Sequence, residues 1–452
     1  MSETLRKLLD QEVERRGDEF IKLLQRFTQQ PSISATGEGI HECATLLADI
    51  MSSWGIDVEI LETDGNPIVT GTVGDGMPHL VIYGHYDVQP PGDVKDWLDG
   101  PFSATIRDGS IWGRGVGDNK GQLLAQLAAT SVWQSVTGTP PPIKVTYVFD
   151  GEEEIGSPNT ARLIATSPSQ FSGDFLYTAD ASTLEMAEPA IYLGVRGLLY
   201  IQLSTRGSDS EWHSGSYGSL IPNPIDRLIA ALTNIVQDGH LAVPGTQERV
   251  RSPSENDELA SASLPKSFLA DPSYFGSERF LSESPRHDMF FRPQVCICGI
   301  EGGYIGPGVK TAVPTEATAK VDITLVPDQN PSEVADLIRR HLDDIGFHDV
   351  DLEILASCTP IVTPADHPVV ELVKQSMRDV WSREPIVFPS IGGGGPLATF
   401  TEHCNMPAML VAYAQPDLHE HSANEHLSIK SFLNGIRVTA QLFDRLAERG
   451  EL

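Results

Sequence analysis

The sequence predicts an α/β protein: a mixed, mainly parallel sheet covered by helices, with an α+β domain of ferredoxin-like plan inserted into it. Two observations lead to this. Short apolar runs alternate with helical patterns up to Asp180 and again near the end of the chain, and four of these runs stop at an acid or a histidine. Between them, from about Arg196, the rhythm changes to β-α-β-β-α-β, closing near Ala356. The outer segments, 1–195 and 365–452, are therefore expected to form one domain around the insert, 196–364.

Taken in order, Leu5 to Phe27 carries apolar positions at helical spacing, ended by Pro31-Ser32. His41 to Trp54 reads as a second helix stopped by Gly55, and Ile56 to Val73 as paired strands turning at Asn66-Pro67. Leu80 to Tyr83 is a buried strand, Lys120 to Val136 an amphipathic helix, Lys144 to Phe149 and Phe175 to Thr178 two more strands. In the insert, Leu199 to Ser204, Gln294 to Ile300, Ala317 to Val326 and Val350 to Ala356 read as strands, and Pro224 to Val236 and Ser332 to Ile345 as helices. The stretch Asp238 to Phe291, rich in Ser, Pro and acids, is expected to be surface loop with short helices. The strand Met409 to Tyr413 then lies between the helices His367 to Trp381 and Ile429 to Ala447.

Composition limits the partners. A chain of 452 residues, 40% hydrophobic, has ample core for two domains. With 32 basic against 62 acidic residues the net charge is -30, which argues against nucleic acid or an anionic membrane surface as partner. Five scattered cysteines fit a reducing compartment, and Cys296-x-Cys298 is read as alternating between strand faces and so not as a metal clip. The charged N-terminus lacks a secretory h-region and no run reaches membrane-spanning length, so a cytoplasmic location is expected.

The chemistry gathers at the strand ends. His85 follows the run Leu80–Tyr83, and Asp87 comes two residues later, as a metal-binding imidazole held by a carboxylate would require; a capped loop histidine is an equal reading of these residues alone. Lys144–Phe149 empties into Asp150, Glu152, Glu153 and Glu154, Phe175–Thr178 into Asp180, and Met409–Tyr413 into His419 and His421. Four such ends in one α/β chain favour a shared cation-binding edge, and mixed imidazole and carboxylate donors suit zinc or manganese better than calcium.

The motifs GHYDVQP, GRGVGDNKG, FDGEEEIGS, the strand end at Asp180, RPQVCICGIEGGYIGPGVKTAVPTEATAKV and HSANE resemble, in order and spacing, the co-catalytic zinc peptidase and amidohydrolase family of carnosinases, cytosolic nonspecific dipeptidase, glutamate carboxypeptidase, acetylornithine deacetylase and succinyl-diaminopimelate desuccinylase. The resemblance implies a three-layer catalytic domain and an inserted lid that also forms a homodimer. It implies two divalent ions per subunit, Zn2+ first, with Mn2+ or Co2+ as alternatives. His85 and Asp180 would hold one, Glu154 and His421 the other, and Asp118 would bridge them, while Asp87 orients His85. The Asp118-Asn119 peptide would be cis. Glu153 would be the base: neighbours in an extended segment point opposite ways, so Glu154 can face an ion while Glu153 faces the attacking water. His213, in EWHSGSYGS, would stabilise the oxyanion from the partner subunit, and Asn223 with Gly393, Gly394 and Gly395 would contact substrate.

Two departures bear on substrate. Many relatives carry an Arg where this chain has Thr324, and those of the dipeptidase type a stretch like Arg-x-Gly-Gly-Ser-Ile-Pro where it reads Ser390-Ile391-Gly392-Gly393-Gly394-Gly395-Pro396. Arg196, Lys310 and Arg292 are the candidate replacement cations. The expected activity is hydrolysis of a dipeptide or N-acyl amino acid; the alternatives are an amide substrate without a free α-carboxylate and a metal-binding protein that has lost catalysis.

Overall fold

Leu9, Val13, Phe20, Leu24 and Phe27 recur on one helical face, and the helix Ser2–Gln29 (α1) buries all five. The computed structural model describes residues 2–183, 188–237, 239–392 and 396–450. By contacts the chain divides into two units, one of Met1–Gly194, Val362–Pro389 and Gly394–Leu452, the other of Val195–Ile361 with Ser390–Gly393.

The first unit continues through helix α2 (Ile40–Ser53), strands β1 (Asp57–Leu61), β2 (Ile68–Val73) and β3 (His79–His85), helix α3 (Gly121–Thr137), β4 (Lys144–Asp150), helix α4 (Pro158–Thr166), β5 (Phe175–Thr178) and β6 (Ala190–Tyr192). The second unit contributes β7 (Gly197–Arg206), α5 (Pro224–Ile235), β8 (Gln294–Gly302), β9 (Glu316–Leu325), α6 (Pro331–Asp344) and β10 (Val350–Cys358). The chain then completes the first unit with α7 (Pro368–Trp381), β11 (Ile386–Phe388), α8 (Leu397–Cys404), β12 (Ala408–Ala412) and α9 (Ile429–Arg449).

The sheet of the first unit runs β1-β2-β4-β3-β5-β12-β6-β11. Pairs β3–β4, β3–β5, β5–β12 and β6–β11 are parallel, and β1–β2, β2–β4 and β6–β12 antiparallel. The apolar run of β3 is continuous because both faces are covered. Leu80 and Ile82 enter the core shared with α1, α2, α3, α7 and α9, while Tyr83 meets the Phe400 ring of α8 at 5.7 Å. Helices on both faces of a mixed, mainly parallel sheet make the expected three-layer α/β arrangement. Register then fixes the site: His85 pairs with Asp150 and Tyr83 with Thr178, so β3, β4 and β5 end together, and β12, parallel to β5, points the same way.

Helix α3 corrects the amphipathic reading. From Gly121 to Trp133 every residue is buried, because α3 lies against β3 and beneath both α1 and α9. Two of its polar side chains are paired internally: Gln122 donates to Gly117 O at 3.0 Å and accepts from Tyr413 N at 3.2 Å, and Thr130 meets Tyr147 at 2.7 Å, while the Gln126 amide is buried without a partner.

In the second unit the sheet order is β8-β9-β7-β10 with every neighbour antiparallel, the ferredoxin-like arrangement. Leu199, Ile201 and Leu203 alternate along β7 into a core with Leu228, Leu232 and Ile235 of α5 and Val334, Ile338 and Leu342 of α6. The stretch between α5 and β8 carries short helices, Glu255–Ala262 under a Ser254 capping box and Pro285–Phe291. The reading of Cys296 and Cys298 needs correction: residues two apart on a strand share a face. Both thiols are exposed and neighbouring, and no candidate metal cluster among the described residues includes them. No helix among the described residues is long and apolar enough to cross a membrane.

Candidate metal centre

The common strand edge of the first unit gathers the acids and imidazoles. Asp118 stands at its middle: Oδ1 lies 3.1 Å from His85 Nε2, and Oδ2 lies 3.0 Å from His421 Nε2. His421 Nε2 is also 3.1 Å from Glu154 Oε2, while His85 Nε2 is 3.7 Å from Asp180 Oδ1 and 4.0 Å from Glu153 Oε2. The donor atoms of His85, Asp118 and Glu154 all lie within 4.8 Å of one another, and so do those of Asp118, Glu420 and His421. All five predicted ligands and Glu153 are thus brought together by the ends of β3, β4 and β5, the turn before α3 and the loop after β12.

Each donor is held from behind. Asp87, fully buried, places its backbone O 3.1 Å and its Oδ1 3.4 Å from His85 Nδ1. The same carboxylate accepts the backbone N–H of Glu153 and of Glu154, each at 3.1 Å. One side chain therefore fixes the imidazole and the acidic turn together, more than the orienting role expected of it. Gln89 donates to Glu154 Oε2 at 3.0 Å. Asn119, after a cis Asp118–Asn119 peptide, donates to Asp180 Oδ1 at 2.9 Å and Ala179 O at 2.6 Å.

The loop bearing Asp118 is held by Glu425. Its carboxylate accepts from Arg114 Nη1 and Gly115 N at 2.8 Å, Gly117 N at 3.0 Å and Asp118 N at 3.1 Å. Arg114 and Glu425 are both buried, their side chains 2% and 0% exposed. The three adjacent acids divide their work. Glu152, unassigned from sequence, is buried and accepts from Asn66 N at 2.7 Å and Asn159 N at 3.0 Å, tying loops rather than facing the cluster.

The electrostatics are those of crowded like charges. Burial, with the charges of Asp180, Asp118 and Glu154 added and His85 opposing, pushes Glu153 up to about 8. Burial and Asp118 push Glu154 to about 7. Burial also acts to raise Asp118, but hydrogen bonds from His421 and His85 more than reverse it and hold that carboxyl well below the usual range. His421 rises to about 9, chiefly through its bond to Asp118. Four carboxylates around two imidazoles form a donor set that divalent cations relieve and protonation relieves only partly, and its N and O atoms fit the zinc and manganese class. Glu420 was missed in the sequence: it sits beside His421, and burial and Asp118 raise it to about 7.

Other predicted residues lie elsewhere. His213, exposed in the second unit, accepts Gly215 N–H at Nδ1 (3.1 Å) and has Thr311 Oγ1 3.3 Å from Nε2. Asn223 caps α5, its Oδ1 accepting from Ile225 N at 3.1 Å. Gly393, Gly394 and Gly395 fall outside the described residues. Of the candidate replacement cations, Lys310 pairs with Glu211 at 2.5 Å and Arg292 with Asp288 at 3.3 Å, whereas Arg196 is buried.

A three-layer sheet with a two-imidazole, multi-carboxylate cluster at its strand ends and a ferredoxin-like insert defines a class, the two-metal hydrolases. Comparison with known proteins narrows it: the profile of peptidase family M20/M25/M40 matches residues 81–445, and the chain belongs to that family. It is 27% identical to the Beta-Ala-His dipeptidase of Rattus norvegicus, over 99% of this chain and 96% of that one. It is 25% identical to the Cys-Gly metallodipeptidase of Schizosaccharomyces pombe, over 96% of this chain and 97% of that one. The crystal structure of an M20 family metallo-carboxypeptidase from Sulfolobus solfataricus superposes with a TM-score of 0.86 at 30% identity, covering 95% of this chain and 99% of that one. The resemblance read from the motifs therefore holds for family and fold.

Proposed function

We propose that the protein is a two-metal peptide hydrolase that cleaves dipeptides or N-acyl amino acids, with zinc or manganese as its ions. The observation that carries this reading is the two-sided placement of Asp118, one oxygen toward His85 and the other toward His421. The relatives' names, dipeptidases and a carboxypeptidase, support a peptide bond as the target and differ in the peptide they specify.

His85 and Asp180 would hold one ion and Glu154 and His421 the other, with Asp118 between the two imidazoles; Glu420 would be a further donor near His421. Bound there, the ions would supply Lewis-acid polarisation of the carbonyl and a water of lowered pKa. The chain's own residues do the rest. Asp87 keeps His85 in one orientation and the Glu153–Glu154 turn in register. Glu153 takes a proton from the attacking water at its carboxylate and returns it to the leaving amine. His213 donates to the developing oxyanion from a second copy of the chain, which makes the ferredoxin-like unit both lid and homodimer contact. Asn223 and Gly393 to Gly395 border the substrate. Free thiols at Cys43, Cys296, Cys298 and Cys404 support a cytoplasmic setting.

The test is amine release from one dipeptide and from its C-terminal amide by protein loaded with zinc or manganese, with Glu153→Ala as blank. Preference for the free acid is expected. Equal or better cleavage of the amide would move the substrate class to neutral acyl compounds, and wild-type turnover by Glu153→Ala with both ions bound would remove the base.

A further inference from the structure

The second unit contains a cavity of about 560 Å³, within the roughly 300–1,000 Å³ of small-molecule sites, and no donor of the metal cluster lines it. Its floor is the sheet face turned away from α5 and α6. There Leu198, Thr324 and Gln294 lie opposite one another across β7, β9 and β8, and Tyr200, Asp322 and Cys296 form the next row.

Arg196, two residues before Leu198, lines this floor and is only 9% exposed. Its Nη1 reaches Gln294 Oε1 at 3.3 Å and its Nη2 reaches Arg292 O at 3.4 Å, both long, and its buried Nε has no partner. No carboxylate among the described residues comes within 4.0 Å of it. Burial lowers its pKa to about 10, so the guanidinium stays charged with no carboxylate in contact. Asp322 Oδ1 and His240 Nδ1, on residues that line the same cavity, are likewise buried without a partner. Arg196 and Asp322 feel each other's charge but do not touch, which leaves an unmet donor and an unmet acceptor side by side. The wall above is apolar: Phe275, Phe280, Leu281 and Met289.

One chemistry answers all three features: a carboxylate for Arg196, an N–H beside it for Asp322, and an apolar side chain for the wall. We propose that this cavity binds an apolar α-amino-acid unit, carboxylate on Arg196, adjacent N–H on Asp322, side chain against Phe275, Phe280 and Met289. A free amino acid and the C-terminal residue of an acylated one share that chemistry. The site belongs to the second unit alone and does not rest on the hydrolase reading, whose failure would show in amine release and not here.

The experiment is calorimetric titration of metal-loaded Glu153→Ala protein with L-phenylalanine, N-acetyl-L-phenylalanine, the amide of each, and 3-phenylpropionate. Saturable binding of at least one of the two acids is expected, with about tenfold or greater weakening when its carboxylate is amidated. Binding of phenylalanine alone identifies a free amino acid as the ligand, and equal or tighter binding of the acetylated form identifies a C-terminal residue. Arg196→Gln should weaken the acids about tenfold or more, and Asp322→Asn should weaken the N–H-bearing acids while sparing 3-phenylpropionate. Phe280→Ala, at a half-exposed side chain outside the buried core of the second unit, should weaken them also and keeps the test decisive if Arg196→Gln does not fold. The proposal is overturned if neither acid binds at millimolar concentration, if the amides bind as well as the acids, or if the folded Arg196 and Phe280 variants bind unchanged.

Discussion

The strand-end cluster of the first unit and the ferredoxin-like unit treat their polar groups in opposite ways. In the cluster almost every candidate side chain is gripped by another: Asp87 holds His85 and two backbone N–H groups, Gln89 holds Glu154, Asn119 holds Asp180, and Glu425 holds the loop of Asp118. In the second unit the candidates are engaged locally, as His213 and Asn223 are, or left unpaired, as Arg196 Nε and Asp322 Oδ1 are. The difference separates two tasks. Bond cleavage needs donors fixed before the substrate arrives, since reorganisation during the reaction would cost rate. Recognition needs groups whose partners the ligand itself supplies.

The largest effect expected to sharpen this contrast is at Glu153. Glu153→Ala should lower kcat by about a hundredfold to ten-thousandfold, the usual worth of a positioned general base, with both ions retained by elemental analysis. Loss of the ions along with activity would instead make Glu153 a ligand, and the first unit would lose its distinction between holding ions and moving protons.

Next is Glu425→Ala. It strands the buried Arg114 guanidinium and leaves the N–H groups of Gly115, Gly117 and Asp118 without their acceptor. Breaking a buried pair from one side costs about 3–5 kcal/mol, so denaturant unfolding should shift by that order. A variant with wild-type stability would mean that water replaces the carboxylate and that the Asp118 loop is not held as tightly as its bonds imply. A smaller loss follows from Asp87→Ala, whose supporting contacts should be worth about 10- to 100-fold in metal affinity, read by competition with a chelator. Unchanged affinity there would break the contrast at its centre, because the gripping residue would then have no measurable consequence for the ions.

What could be read from sequence follows the same division. The four strand ends were legible because each apolar run stops abruptly at an acid or imidazole, and parallel pairing of β3 with β4 and β5 makes successive ends coincide. The holding contacts were not legible. Asp87 meets Glu153 across 66 residues and Glu425 meets Asp118 across 307, distances at which only the fold decides who is adjacent. The full burial of α3 was hidden for a related reason: Gln122 and Thr130 look like a solvent face until their partners Tyr413 and Tyr147 are known. In the insert, register supplied what residue type could not. Thr324 and Asp322 are ordinary strand residues until β8 sets Gln294 opposite Thr324 and the fold brings Arg196 to line the same cavity.

The smallest effect tests the second unit's side of the comparison. Asn223 Oδ1 accepts the Ile225 N–H at the start of α5, with Pro224 in the first turn, so the structure gives this side chain a capping job whatever else it does. Asn223→Ala removes that acceptor and should cost about 1 kcal/mol of stability, visible as a modest fall in melting temperature. If capping is its whole role, kcat and KM stay at wild-type values and Asn223→Ser, which can still cap, restores stability. A raised KM in both variants, with stability recovered in the serine one, would show that the amide also meets substrate. The residue would then combine a local bond with recognition, and the line drawn here between groups fixed by the fold and groups completed by the ligand would run through a single side chain.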